Sequence, residues 1–83
     1  MAQIKKLYLR VMSGKCDNNI SFEELRHLIE SLGFKLDRVK GDHFIYIKDG
    51  VDELLNVQPI KNMAKPYQVE QLRRVIKKYG LEV

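Results

Sequence analysis

A single cysteine, Cys16, leaves the chain without an internal disulfide and without a set of thiolates to hold zinc. Cys16 lies among Gly14, Lys15, Asp17 and Asn18 with no histidine close by in sequence, the setting of a loop residue and not of an activated nucleophile. No apolar run approaches the roughly 20 residues that cross a bilayer, and Lys5, Lys6 and Arg10 interrupt the N-terminus. Neither a membrane span nor a signal peptide is therefore expected, and a reducing cytoplasm is the natural home. Prolines number two and glycines five, while 45% of residues are apolar and 31% charged, which excludes a disordered or low-complexity chain. Length is scarce too: 83 residues give one core and one shallow site. A Rossmann-type cofactor domain or a two-domain enzyme with a closing lid would need more chain, and no cofactor or metal is expected.

What the chain does have is positive charge. Fifteen Lys and Arg against eleven Asp and Glu give a formal net charge of +4 and a pI near 9.3. That balance favours polyanionic partners through phosphate neutralisation, although charge alone does not separate a nucleic-acid binder from an ordinary basic domain.

Apolar periodicity divides the chain into elements. Ile4, Leu7, Tyr8, Val11 and Met12 recur at helical spacing and predict a short amphipathic helix from Gln3 to Met12, ended by Gly14. A polar linker follows. Ser21 with Glu24 three residues on is a capping-box pattern that opens a second helix, whose stripe is Phe22, Leu25, Leu28, Ile29 and Leu32 and whose stop is Gly33. From Phe34 to Gln58 the period becomes two, with turn signals at Lys40-Gly41-Asp42 and Asp49-Gly50. Three antiparallel strands are placed at Phe34 to Val39, His43 to Lys48 and Glu53 to Gln58. Pro59 closes the third, a polar loop runs to Pro66, and a last helix carries Val69, Leu72, Val75, Ile76 and Tyr79 on its buried side. Arg73, Arg74, Lys77 and Lys78 fall opposite that stripe, either as a track for an RNA backbone or as a favourable basic face near a helix C-terminus.

The resulting class is α+β, a double-stranded-RNA-binding-like α-β-β-β-α order with an additional N-terminal helix and a three-stranded antiparallel sheet. The chain is expected to form a single domain, 1–83, with an N-terminal helix in 1–14, a linker in 15–20 and the core in 21–81. The middle strand is apolar on both faces, Ile45 and Ile47 on one and Phe44 and Tyr46 on the other. Two helices cover one face. The second calls for the N-terminal helix or a protein partner, unless Tyr46 is simply half-exposed with its hydroxyl in water.

Two histidines are candidates for chemistry. His27 lies opposite the apolar stripe of its helix and reads as a solvated surface residue. His43 follows a turn at the start of the central strand, where side chains sit at a rim, and imidazole accepts or donates a proton near neutral pH. RNA cleavage needs such a group to deprotonate the 2′-hydroxyl, and positive charge or N–H groups at the phosphate oxygens. Gly41 lets backbone approach a phosphate, and Lys40, Lys48 and Lys61 are candidates to supply charge. Lys65 stands just before Pro66, where a helix prefers Ser, Thr, Asp or Asn; a cation there is either tolerated or part of an anion site at the helix N-terminus. A lone strand histidine is more often structural than catalytic, so pattern alone leaves both roles open.

Leu32-Gly33-Phe34, then Arg38, Gly41, His43 and Phe44, then Gln58-Pro59, Lys65-Pro66-Tyr67-Gln68-Val69 and Lys78-Tyr79-Gly80-Leu81, together resemble the HicA toxins of bacterial and archaeal toxin–antitoxin pairs. The resemblance runs from about Ser21 to Leu81. It implies a double-stranded-RNA-binding-like fold, cleavage of mRNA that halts translation, and neutralisation by a HicB-like antitoxin protein. The family's catalytic histidine falls on His43, with Gly41 as its backbone neighbour. Where the family carries serine between them, this chain has Asp42, which adds a negative charge beside the presumed phosphate site.

The leading expectation is a cytoplasmic, metal-independent endoribonuclease toxin in which His43 is general acid or base and Lys40, Gly41, Lys48, Lys61 and Lys65 bind phosphate. The rivals are a non-catalytic RNA-binding module of the same fold, and an antitoxin-binding subunit inactivated by Asp42.

Overall fold

The computed structural model describes residues 2–83. Its elements are α1 (Ala2–Ser13), a 3-10 turn (Asp17–Asn19), α2 (Phe22–Ser31), β1 (Lys35–Lys40), β2 (His43–Lys48) and β3 (Val51–Val57). A short hairpin of β4 (Pro59–Ile60) and β5 (Met63–Ala64) then leads into α3 (Pro66–Tyr79). The α-β-β-β-α order with a helix in front is thus the observed one.

Local chemistry sets most of the boundaries. Ser21 Oγ accepts from the Glu24 N–H at 3.0 Å, and the Glu24 carboxylate accepts from the Ser21 N–H at 2.9 Å, so the capping box opens α2 as its sequence dictates. That backbone N–H, with help from the Arg10 guanidinium, holds the Glu24 carboxyl below the usual carboxylate range. At the far end of the chain Gly80 is left-handed, with φ 63°, and stops α3.

The three long strands form one antiparallel sheet in the order β1-β2-β3. Lys48 pairs directly with Val51 across Asp49-Gly50, so β3 starts at Val51 and not at Glu53: a tight turn of this kind lets pairing resume at once. Tyr46, Leu55 and Val57 of the sheet share one core with Leu25, Leu28 and Ile29 of α2 and Val69, Leu72 and Ile76 of α3. All six residues of β1 stay exposed, so the helices shelter β2 and β3 and leave β1 as an open edge.

Other expectations need correction as well. The segment between Pro59 and Pro66 is a hairpin and not a plain loop; Lys61 and Asn62 take φ of 49° and 66°, the left-handed pair that a tight hairpin turn demands. The conformation is unfavourable for lysine, but the turn is tied down by tertiary bonds. Asn62 O accepts from the Phe22 N–H and Ile20 O from the Ala64 N–H, each at 2.9 Å, so the hairpin satisfies a free donor at the start of α2.

Helix α1 does not cover the second face of the sheet. It packs on α2 and α3 as a further layer, burying Leu7 and Val11, and Tyr8 donates to Leu81 O at 3.0 Å. The outer face therefore presents Ile47 at 42% and Leu54 at 51% exposure. Tyr46, finally, is not half-exposed but fully buried.

Arg73 also departs from its helical-wheel position. Its guanidinium turns inward, donates to both oxygens of Asp17 at 2.9 and 3.0 Å and to Val11 O at 2.8 Å, and so joins α3 to the 3-10 turn and the end of α1.

Candidate nucleic-acid interface

Strand alternation sends Tyr46 and Phe44 toward the helices and places His43 and Ile45 on the outer face. His43 opens β2 opposite Lys40, across the two-residue turn Gly41-Asp42 in which Gly41 has φ 64°. Nothing lies within contact distance of the space a Cβ would fill at Gly41, so the backbone there is open to an approaching ligand.

The imidazole is held but not enclosed. Its side chain is 44% exposed, and Nδ1 lies 3.1 Å from Asn56 Oδ1 on β3. With the amide oxygen turned to the ring, the contact requires the proton on Nδ1 and leaves the Nε2 lone pair free to accept another. Asp42 Oδ1 stands 3.8 Å from Nε2, close enough to pair with the ring once it is protonated.

Polar contacts tie this strand end to the start of α3. Gln58 Nε2 reaches Asp42 Oδ2 at 3.5 Å, while the Gln58 backbone N–H donates to Gln68 Oε1 at 3.2 Å. Gln68 is buried, and its own amide nitrogen points to the Tyr67 hydroxyl at 3.5 Å, with Tyr67 largely in solvent. Lys65 stands at the N-cap of α3 with no side-chain hydrogen bond to the helix, while its carbonyl accepts from the Gln68 N–H at 2.9 Å.

Of the residues singled out in the sequence, Lys40 and Gly41 adjoin His43, and Lys65 is brought to the same end through Gln58 and Gln68. Lys61 is displayed on the hairpin turn that follows β3. Lys48 lies at the opposite end of β2, five residues or about 17 Å of strand from His43, beside Gly33, Lys35 and Asp49. His27 is exposed on α2.

The basic face of α3 is largely satisfied within the chain. Lys78 donates to Glu53 at 2.8 Å and Arg74 to Glu70 at 2.6 Å. The bonds from Lys78 and the Tyr79 hydroxyl hold the Glu53 carboxyl down to about 2 and raise the Lys78 ammonium in turn.

A second polar group lies on the helix side of the same strand end. The buried Tyr46 hydroxyl donates to Glu30 Oε2 and accepts from Arg26 Nε, both at 2.8 Å, and burial pushes its pKa up. The Arg26 guanidinium lies 4.3 Å from the centre of the Phe44 ring, whose neighbour Phe22 meets it edge-on at 5.3 Å. Phe22, Arg26 and Phe44, with Ser21, Glu23, Pro59 and Asn62, line an open cleft of about 560 Å3.

Asn56, Gln68 and the Arg26–Tyr46–Glu30 group were not among the candidate site residues read from the sequence. For Asn56 the signal was a carboxamide inside an otherwise apolar strand end; for Gln68, a polar residue beside the helical stripe of α3.

Among the described residues no group of three or more His, Cys, Asp or Glu side chains is placed to hold a metal ion, and no helix is long and apolar enough to cross a membrane. A family model described as the HicA toxin of bacterial toxin–antitoxin pairs matches residues 22–81. No curated protein and no solved structure matches the chain.

Proposed function

The chain belongs to the HicA toxin family of bacterial toxin–antitoxin systems, and from that premise we propose that it is a metal-independent endoribonuclease acting on mRNA, with His43 as its acid–base group. The observation that carries the reading is the setting of the imidazole: half in solvent, fixed through Nδ1 by Asn56, and beside an open glycine turn with Lys40 across it.

With Nδ1 protonated, Nε2 takes the proton from a ribose 2′-hydroxyl as that oxygen attacks the adjacent phosphorus. The new P–O bond closes a 2′,3′-cyclic phosphate as the bond to the 5′-oxygen breaks, and that oxygen leaves as a hydroxyl with the proton returned by the His43 imidazolium through water, so the ring ends as it began. Lys40 and the open backbone at Gly41 stabilise the phosphorane oxygens, and Lys61 and Lys65 hold neighbouring phosphates along the same end. Lys48, at the far end of β2, serves a more distant phosphate.

A HicB-like antitoxin protein masks this end of the sheet in the resting cell, and both act in the cytoplasm. Induced expression of the chain alone should arrest translation and growth. His43→Ala should not, and the antitoxin gene supplied in trans should restore growth. Arrest of equal depth by His43→Ala would remove the proposal.

One observation favours a second reading. The Asp42 carboxylate stands 3.8 Å from Nε2, at the place a scissile phosphate would approach. Under that reading the chain binds RNA or antitoxin without cutting, and Asp42→Ser, but not the native chain, cleaves RNA.

A further inference from the structure

Phe44 follows His43 on β2 but points to the other face, so the cleft lined by Phe22, Glu23, Arg26, Phe44, Pro59 and Asn62 opens at the same end of the sheet as the imidazole. Resting on the nuclease reading above, we infer that this cleft is a nucleobase site that selects guanine next to the cleaved bond, with Glu23 as its specificity residue.

The walls suit a flat ring. Arg26 is fixed on three sides, by the Tyr46 hydroxyl at 2.8 Å, by Glu30 at 3.7 Å and by the Phe44 ring at 4.3 Å, which makes its guanidinium a rigid plane. Unpaired RNA bases stack on arginine planes and aromatic rings of this kind. The volume of about 560 Å3 lies in the ordinary range of small-ligand sites and leaves the cleft open on one side for a connected strand.

Charge argues for a base and against a phosphate. Among the described residues, Arg26 is the one cation lining the cleft and is already matched by Glu30, and Glu23 adds a carboxylate with no ion-pair partner, so a phosphate would meet net negative charge. A carboxylate only accepts hydrogen bonds. Guanine alone among the RNA bases sets two adjacent donors, N1–H and the N2 amino group, on its Watson–Crick edge; adenine, cytosine and uracil each place an acceptor beside their donor there. Asn62, which also lines the cleft, has an amide N–H to offer to guanine O6.

The route from cleft to imidazole is short. Pro59 lines the cleft and Gln58, its neighbour, contacts Asp42, so a strand rounding the β1–β2 turn passes from the cleft to His43. The selected base therefore lies within one nucleotide of the cut.

The test is cleavage of RNA of random sequence by the purified full chain, with every cut mapped, against Glu23→Gln and Arg26→Lys. Glu23 is exposed and outside the core, so Glu23→Gln keeps the fold, which its thermal midpoint verifies. Native chain should enrich guanine within one nucleotide of its cuts, and Glu23→Gln should reduce that preference about tenfold, the scale of one bidentate base contact. Arg26→Lys, which keeps the charge and loses the plane, should weaken cutting beside all four bases alike. Cleavage without guanine enrichment, or enrichment unchanged in Glu23→Gln, overturns the base site while the nuclease stands. An intact RNA pool overturns the nuclease reading and the base site with it.

Discussion

His43 owes its orientation to one neighbour. Asn56 Oδ1 fixes the ring through Nδ1, and without that acceptor the imidazole is free to rotate and to exchange tautomers. General acid–base groups contribute about 10²–10⁴ in rate, and an orienting partner acts only through the group it orients. Asn56→Ala should therefore slow single-turnover RNA cleavage with little change in RNA affinity. In a His43→Ala background the same substitution should have no further effect. Additive losses in that double-mutant cycle would mean that Asn56 acts independently of the imidazole. The place of His43 at an exposed strand start was legible in the sequence because the signal is local: a glycine turn followed by a strand. Asn56 was not, because its approach depends on cross-strand register, and β2 carries a register shift against each neighbour.

At the scale of elements, the layers are joined by a few ion pairs of unequal worth. Asp17 and Arg73 have side chains only 20% and 13% exposed, and Arg73 also satisfies the Val11 carbonyl at the end of α1. Removing that guanidinium strands a sheltered carboxylate and a carbonyl, so Arg73→Ala should lower unfolding free energy by about 2–3 kcal/mol in urea titrations. Arg74→Ala, which removes an exposed pair with Glu70, should change stability by less than about 0.5 kcal/mol. Equal effects would contradict the role given to Arg73. Glu24 makes a pH-dependent contribution of known sign. Its folded pKa is lowered from 4.5, so the stabilisation is complete above that value and is lost as pH falls through the folded one. The stability gap between native chain and Glu24→Gln should be constant near neutral pH and close below about pH 4.5; a gap that widens on acidification would refute the assignment. The capping box, the Asp49-Gly50 turn and the Gly80 stop were readable in sequence because each is settled within a few residues. The β4–β5 hairpin was not, since its strands are two residues each and its turn lacks glycine; bonds to Ile20 and Phe22 hold it. Arg73 was misread for a related reason: a helical wheel assumes one buried side, whereas α3 also meets α1 and the 3-10 turn.

Across the whole molecule, the two sides of one sheet end differ. The helix side carries the buried core, backed by α1, and the open cleft beside Phe44, and the outer side carries the imidazole among Lys40, Gly41 and Asn56. The net charge of +4 is spread unevenly: Arg73, Arg74 and Lys78 are paired within the chain, while Lys40 stands opposite His43 across the β1–β2 turn. The sequence carried the element order and the strand-rim position of His43 but neither the packing of α1 nor which cations are already paired, because both are decided by contacts between distant segments. The central claim is that His43 supplies acid–base chemistry to a metal-independent RNA cleavage, and end-group analysis of cleaved RNA tests it most directly. Purified native chain and His43→Ala would be incubated with end-labelled RNA in excess chelator. The native chain should leave 2′,3′-cyclic phosphate and 5′-hydroxyl ends, and His43→Ala should cut at least about 10²-fold more slowly. Equal cleavage by the two proteins, or cleavage that appears only when a divalent metal is restored, would contradict it.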